Sequence, residues 1–346
     1  MQTEAMVMGE TGGPEVLVRK TIDLAPLASN EVRVRVRAVA LNHLDIWTRK
    51  GLPNLKYEFP HRLGSDIAGE IDAVGEGVKF AKVGMHVLVN PGLSCGVCEK
   101  CLSGADNLCR SYRILGESAQ GGYSRHVHVP EANVLPIPSR LSFTEAAAIP
   151  LCFLTAWQMV VRRGALRAGQ TVLVQAAGSG VSSAAIQIAK VMGARVIATT
   201  GSDGKVERAR ALGADHVINY ATTDFVTETK RLTEKRGVDL VIEHVGGDIF
   251  EKSILATGWG GKVVTCGATI GHAPKIDLRQ IFFRQVQVLG STMGSKADLF
   301  EVLRLVDAGA LNPVIDRTFP LWQAADAHRV LEAREAFGKV VLEVDG

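Results

Sequence analysis

From about Ala146 the chain settles into one repeated pattern, an apolar run, a glycine turn and a helical stretch, and this alternation constrains the fold more than any other feature. The run "TVLVQAAGSGVSSAAIQIAKVMGA" is followed by "RVIATTGSDGKVERARALGA", and then by "DHVINY", "VDLVIEHVGG", "GKVVTCG" and "VQVLGSTM". A strand that feeds a helix and returns to a further strand must cross over. Such crossovers are right-handed and generate a parallel sheet, so an α/β domain is expected here.

The remainder has a different texture. Up to about Pro138 the chain reads as short strands between turns: "NEVRVRVRAVALN" alternates apolar and basic residues with the period of a half-buried strand, and "GEIDAVGEGV" and "VGMHVLVN" are further candidates. After Gly294, "KADLFEVLRLVDAGAL" and "QAADAHRVLEARE" read as amphipathic helices and "GKVVLEVDG" as a last strand. The 346 residues exceed what one core usually serves, and an apolar content of 47% suffices for two. The change of texture places a boundary near residue 150, and a return to the first domain is set near residue 290.

Charge excludes several classes of function. Lysine and arginine (39) nearly balance aspartate and glutamate (36) and are dispersed, which leaves no footprint for nucleic acid or for a membrane surface. Of the two long uncharged runs, Ala146 to Val161 is too short for a span of about 20 residues and contains Pro150, and Thr171 to Ala189 is broken by glycine, serine and glutamine. "MQTEAMVMGETGG" lacks the basic start of a secretory signal. The expectations are a cytoplasmic protein and a small-molecule partner.

The first βα turn carries the clearest binding signal. Gly178 and Gly180 would let the backbone approach a pyrophosphate, and the helix behind them, starting through Ser179, Val181 and Ser182, would offer unpaired N–H groups to it. The next strand ends in Thr199, Thr200, Gly201 and Ser202, where NAD-binding domains place a carboxylate for the ribose, and Lys205 follows closely. That ending suits a 2′-phosphate, hence NADP(H); the plain alternative for Lys205 and Arg208 is a solvated helix face. Tyr220, just past the third strand, is a further candidate cofactor residue.

Four of the six cysteines lie within "CGVCEKCLSGADNLC", Cys95 to Cys109. In a reducing compartment such clustering points to metal rather than to disulfides. Four thiolates close a tetrahedral zinc shell and leave no position for water or substrate, the mark of a structural site.

With the glycine turn, this cluster, "GSDIAGEIDAVGEGV" and "LNHLDIWTRKG", in their order, the chain resembles the medium-chain dehydrogenase/reductase superfamily over essentially its whole length. The resemblance implies a Rossmann doubly wound parallel sheet over 151–289 and a GroES-like β-rich domain over 1–150 and 290–346, with a zinc lobe near 91–112. It implies that Cys95, Cys98, Cys101 and Cys109, spaced CxxCxxCx7C, hold one structural zinc, and that the protein is a homo-oligomer, a dimer or tetramer. In the zinc alcohol dehydrogenases of this superfamily a second, catalytic zinc is held by a cysteine in "CHxD", a histidine in "GHE" and a later cysteine. Here "NHLD" puts Asn42 at the first place, "GSD" puts Ser65 at the second, and Leu151 falls at the third. His43, His61, Asp66 and Cys152 remain as conceivable substitutes.

Relatives with an asparagine at the first place, the quinone oxidoreductases and 2-enoyl reductases, pass hydride from NADPH to an alkene conjugated with a carbonyl. The resemblance therefore implies a C=C reductase in which Asn42 orients nicotinamide or substrate and Thr155 touches the nicotinamide. Ser65, His43 or Tyr57 would then donate to the enolate. His43 has an alternative role as a cofactor-ribose contact. Two other readings stand beside this one: an alcohol or aldehyde dehydrogenase of the same superfamily, and an NADPH-binding protein without turnover.

Overall fold

The computed structural model describes residues 1–345. They form two compact units. The first comprises Met1–Leu151, Ser295–Asp307 and the described residues from Pro313 onward, and the second comprises Cys152–Gly294 with Ala308–Asn312. The chain returns to the first unit at Ser295, five residues later than the texture suggested, because Gly294 packs against Leu154 of the second unit so closely that a Cβ there would lie 2.7 Å from the leucine side chain.

The second unit is built on the parallel sheet that the alternation implied. Its strands are Thr171–Val174, Arg195–Thr200, His216–Asn219, Val238–Glu243, Thr257–Thr265 and Gln287–Gly290. Numbered in chain order, they lie 3-2-1-4-5-6. Every neighbouring pair is parallel. This is the doubly wound order, and it reverses between its first and fourth strands, where such sheets bind ligands at their carboxyl ends. All four residues of the first strand are buried, as expected of a strand covered on both faces.

The first unit contains a sheet with the order Ile315–Pro320, Lys339–Glu343, Glu31–Ala40, Asp66–Val74, His86–Val89 and Val134–Pro136; His126–Pro130 also pairs with Glu31–Ala40. Val32, Val34 and Val36 enter the core. On the opposite face Arg33 reaches Asp72 at 2.6 Å and Arg35 reaches Glu70 at 2.6 Å on the antiparallel neighbour. A register shift between Val36 and Ala38 then changes the pattern. Beyond it Ala38, Val39 and Ala40 are all buried, so the strand no longer alternates and runs inward. Ala40 pairs with Asp66 on one side and with Val341 on the other. In the antiparallel register Lys339 therefore faces Asn42, just past the strand end, and three distant segments converge on one place. No helix among the described residues is long and apolar enough to cross a membrane.

Candidate active site

At that convergence Lys339 donates from Nζ to Asn42 Oδ1 at 2.6 Å and to Asp66 Oδ2 at 2.9 Å. Asn42 Nδ2 in turn donates to Asp66 Oδ2 at 3.0 Å and to Ala40 O at 3.4 Å, and the Leu151 amide donates to Asp66 Oδ1 at 2.7 Å. All three side chains are withdrawn from water, with Asn42 6%, Asp66 0% and Lys339 4% exposed. A buried lysine is tolerated only when paired. Here the pairing also fixes the amide of Asn42, since an ammonium can only donate and the oxygen must face it. Both ends of that amide are engaged within the protein, the oxygen by Lys339 and the nitrogen by Asp66 and Ala40.

Asn42 also begins the helix His43–Lys50. The Asp45 carboxylate, one turn in, accepts from the Asn42 amide at 2.7 Å and from the Gly64 amide at 2.9 Å, and burial raises its pKa to about 6 against those two bonds. His43 stands at the first helical position. Burial, and then the charges of Arg334 and Lys339, lower its pKa to about 4, so it is neutral at physiological pH. Ser65 is fully buried and its Oγ has no hydrogen-bond partner among the described residues. An unpaired buried hydroxyl costs about 1–3 kcal/mol, and a ligand oxygen would relieve that cost. The Tyr57 hydroxyl accepts from the Leu52 amide at 3.0 Å and the ring lies 5.3 Å from that of His61, whose Nε2 is 3.3 Å from Gly116 O.

These contacts decide the fit of a second zinc. At the places of its three ligands stand an amide, a hydroxyl and a leucine side chain, and the adjacent carboxylate already has an ammonium as its counter-ion. The soft thiolate and imidazole donors that select zinc are absent from all three places. The residues do not fit a catalytic zinc. Among the described residues the cysteine lobe is the one place where three or more such donors meet.

In that lobe the Sγ atoms of Cys95, Cys98, Cys101 and Cys109 all lie within 4.8 Å of one another. Cys98 and Cys101 are 3.5 Å apart and Cys95 and Cys101 3.8 Å. A tetrahedron with Zn–S of about 2.3 Å has S···S edges of about 3.8 Å, so the donor set fits zinc. The amides of Val97 and Cys98 donate to the Cys95 sulfur, which favours its thiolate, the form a metal needs. The base of the lobe is tied down by Lys296, whose backbone amide donates to Asp106 Oδ1 at 2.8 Å and whose Nζ reaches Gly92 O at 3.1 Å, Ser94 Oγ at 3.1 Å and Asp106 Oδ2 at 3.3 Å. Elemental analysis of purified protein should give about one zinc per chain. Cys98→Ser should lower both zinc content and the yield of folded protein, because a closed shell contributes folding energy; two zincs per chain would contradict this assignment.

The second unit holds the residues expected to take a cofactor. Ser179 caps the twelve-residue helix Gly180–Val191, its Oγ accepting from the Ser182 amide at 3.1 Å. The first N–H groups of that helix point out of the turn without partners of their own in the helix, as a pyrophosphate requires. Below the turn, Gln175 is held between Ser253 Oγ at 3.0 Å and Thr199 Oγ1 at 2.7 Å. At the end of the second strand, Gly201 lies under Tyr220: a Cβ there would come within 2.6 Å of the tyrosine oxygen. Thr200 is buried, Ser202 is exposed and Lys205 is half-buried. Asp203, which the sequence reading did not assign, accepts from Asn219 Nδ2 at 2.7 Å. Thr155 lies on the helix Pro150–Trp157, its Oγ1 4.0 Å from Met293 Sδ, and Met293 has the left-handed φ of 51°. Lys339 and His244, which follows the fourth strand and meets the capping serines, were also missed. Lys339 opens the strand Lys339–Glu343, and the apolar run after it is the signal that marked this strand as buried.

A family profile described as "Alcohol dehydrogenase GroES-like domain" matches residues 28–139, and one described as "Zinc-binding dehydrogenase" matches residues 180–308. The chain is 35% identical over 325 residues to the NAD-dependent alcohol dehydrogenase of Saccharolobus solfataricus, with 90% of this chain and 92% of that protein covered. It is 32% identical over 341 residues to the acryloyl-coenzyme A reductase of Metallosphaera sedula, covering 97% and 98%. A crystal structure of an NAD-dependent alcohol dehydrogenase, 53% identical, superposes with a TM-score of 0.95 over 99% of this chain and 100% of that one.

Proposed function

Because the chain belongs to the medium-chain dehydrogenase/reductase superfamily, and is an oxidoreductase using a pyridine nucleotide, we propose that it reduces the C=C bond of α,β-unsaturated carbonyl compounds with NADPH, its substrates being of enone, quinone or enoyl-CoA type. The observation that carries this reading is the buried Lys339–Asp66 pair with Asn42 between them.

Reduction at a carbonyl carbon creates a localised alkoxide, which needs a strong Lewis acid. The place where this family's alcohol dehydrogenases keep one here holds an ion pair of no net charge. Hydride delivered to the β-carbon of a conjugated alkene leaves an enolate whose charge is spread, and hydrogen-bond donors alone can stabilise it. Ser65 supplies an uncommitted hydroxyl, and neutral His43 and the Tyr57 hydroxyl are the other donors. Asn42 acts through Lys339 and Asp66, keeping the pair neutral and ordered. The acryloyl-coenzyme A reductase of 32% identity supports a substrate of this class.

For the cofactor, Gly178, Ser179, Gly180, Val181 and Ser182 would take the pyrophosphate. Thr200, Gly201, Ser202, Lys205 and Tyr220 would take the adenosine ribose and its phosphate, with Thr155 at the nicotinamide. A phosphate paired with a lysine gains about 1.5–3 kcal/mol from charge-assisted bonding. Lys205→Ala should thus raise the NADPH dissociation constant roughly ten- to a hundredfold and leave that of NADH nearly unchanged. Equal loss of both would remove Lys205 from the phosphate site.

The second reading is an alcohol dehydrogenase, favoured by the names of the 35% and 53% identical relatives and by the carboxylate of Asp203 close behind the second strand. Product analysis separates the two, a saturated carbonyl compound marking the first reading and an allylic alcohol the second.

A further inference from the structure

We propose that His244 is a positioning residue for the cofactor's pyrophosphate, acting through the hydroxyl of Ser179. The inference rests on the dinucleotide reading of this unit. His244 follows the fourth strand, Val238–Glu243, and so stands at the switch point of the sheet beside the turn that follows the first strand. Its Nε2 lies 2.8 Å from Ser182 Oγ and 3.0 Å from Ser179 Oγ.

The protons in this group can be placed by elimination. Ser182 Oγ is 2.6 Å from Gln175 O, a carbonyl that can only accept, so the single hydroxyl proton of Ser182 is spent there. Ser182 Oγ must then accept from His244, and the imidazole proton is on Nε2. A protonated Nε2 has no lone pair to offer Ser179. The Ser179 oxygen already accepts from the Ser182 amide at 3.1 Å, and it lies within reach of the same Nε2–H. Its own proton is left without an acceptor among the described residues. It sits at the cap of the helix whose Gly180 and Val181 amides have no acceptor within the helix.

His244 thereby turns Ser179 from a cap that could point its proton anywhere into an oriented donor. A phosphate oxygen is the acceptor that such a place suits. Had Nε2 been unprotonated, Ser179 would donate to it and have nothing left for a ligand.

The test is titration of the whole purified protein with NADPH and, separately, NADH, followed by nucleotide fluorescence. His244→Ala should weaken both by about tenfold, since both carry the same pyrophosphate. His244→Gln, whose amide supplies an N–H, should recover most of that loss. In a Ser179→Ala background His244→Ala should cost nothing further, because the group it orients is already absent. Unchanged binding in His244→Ala, or losses that multiply in the double variant, would overturn the inference. Wild-type protein that binds neither nucleotide would instead overturn the dinucleotide reading on which it rests.

Discussion

Lys339→Met should cost the folded protein about 3–5 kcal/mol, the penalty for leaving a buried carboxylate without its counter-charge. Asp66 is fully buried. Without the ammonium, the Leu151 amide at 2.7 Å and the Asn42 amide at 3.0 Å remain, two neutral donors for a full negative charge. Chemical denaturation would show the loss as a lower midpoint. The doubly changed Lys339→Met/Asp66→Asn should recover a large part of it, since a neutral amide keeps an acceptor for Leu151 and needs no cation. A single variant within about 1 kcal/mol of wild type would show that Lys339 and Asp66 are not an ion pair whose removal exposes a charge, and the argument against a metal at this place would lose its footing.

How much of this was legible in the sequence follows from the range of the interactions. The parallel sheet could be read because each of its crossovers is local: an apolar run, a turn and a helix leave their periodicity within a few dozen residues. The same holds for the lobe, whose four thiols are close in the chain as well as in space. The absence of zinc ligands at Asn42, Ser65 and Leu151 was likewise legible, one motif at a time. What replaces them was not. Lys339 lies 273 residues from Asp66 and 297 from Asn42, and only the antiparallel register of the C-terminal strand against Glu31–Ala40 brings them together. For the same reason the partner of Asn42 was hidden: the lysine that donates to its amide oxygen comes from the far end of the chain. His244 depended on the strand order, which places the fourth strand beside the first. Tyr57, His43 and Ser65 remain as three donors of different character, and of these Ser65 is the one whose buried hydroxyl has no partner among the described residues.

Reduction of a conjugated alkene without a Lewis acid at this site governs what the enzyme makes. With NADPH and an enone, hydride should go to the β-carbon, a proton should follow at the α-carbon, and the product should be the saturated carbonyl compound. Delivery to the carbonyl carbon would give the allylic alcohol through an alkoxide, which the neutral Lys339–Asp66 pair has little power to stabilise. A structural zinc bound by Cys95, Cys98, Cys101 and Cys109 plays no part in either step, so a chelator should affect activity only as the fold is lost. The most direct measurement is therefore product analysis of NADPH-driven enone reduction, before and after brief chelation of protein verified to be folded. The saturated ketone at an unchanged initial rate is the expected result; an allylic alcohol, or a rate that disappears with chelator while the protein stays folded, would contradict the account.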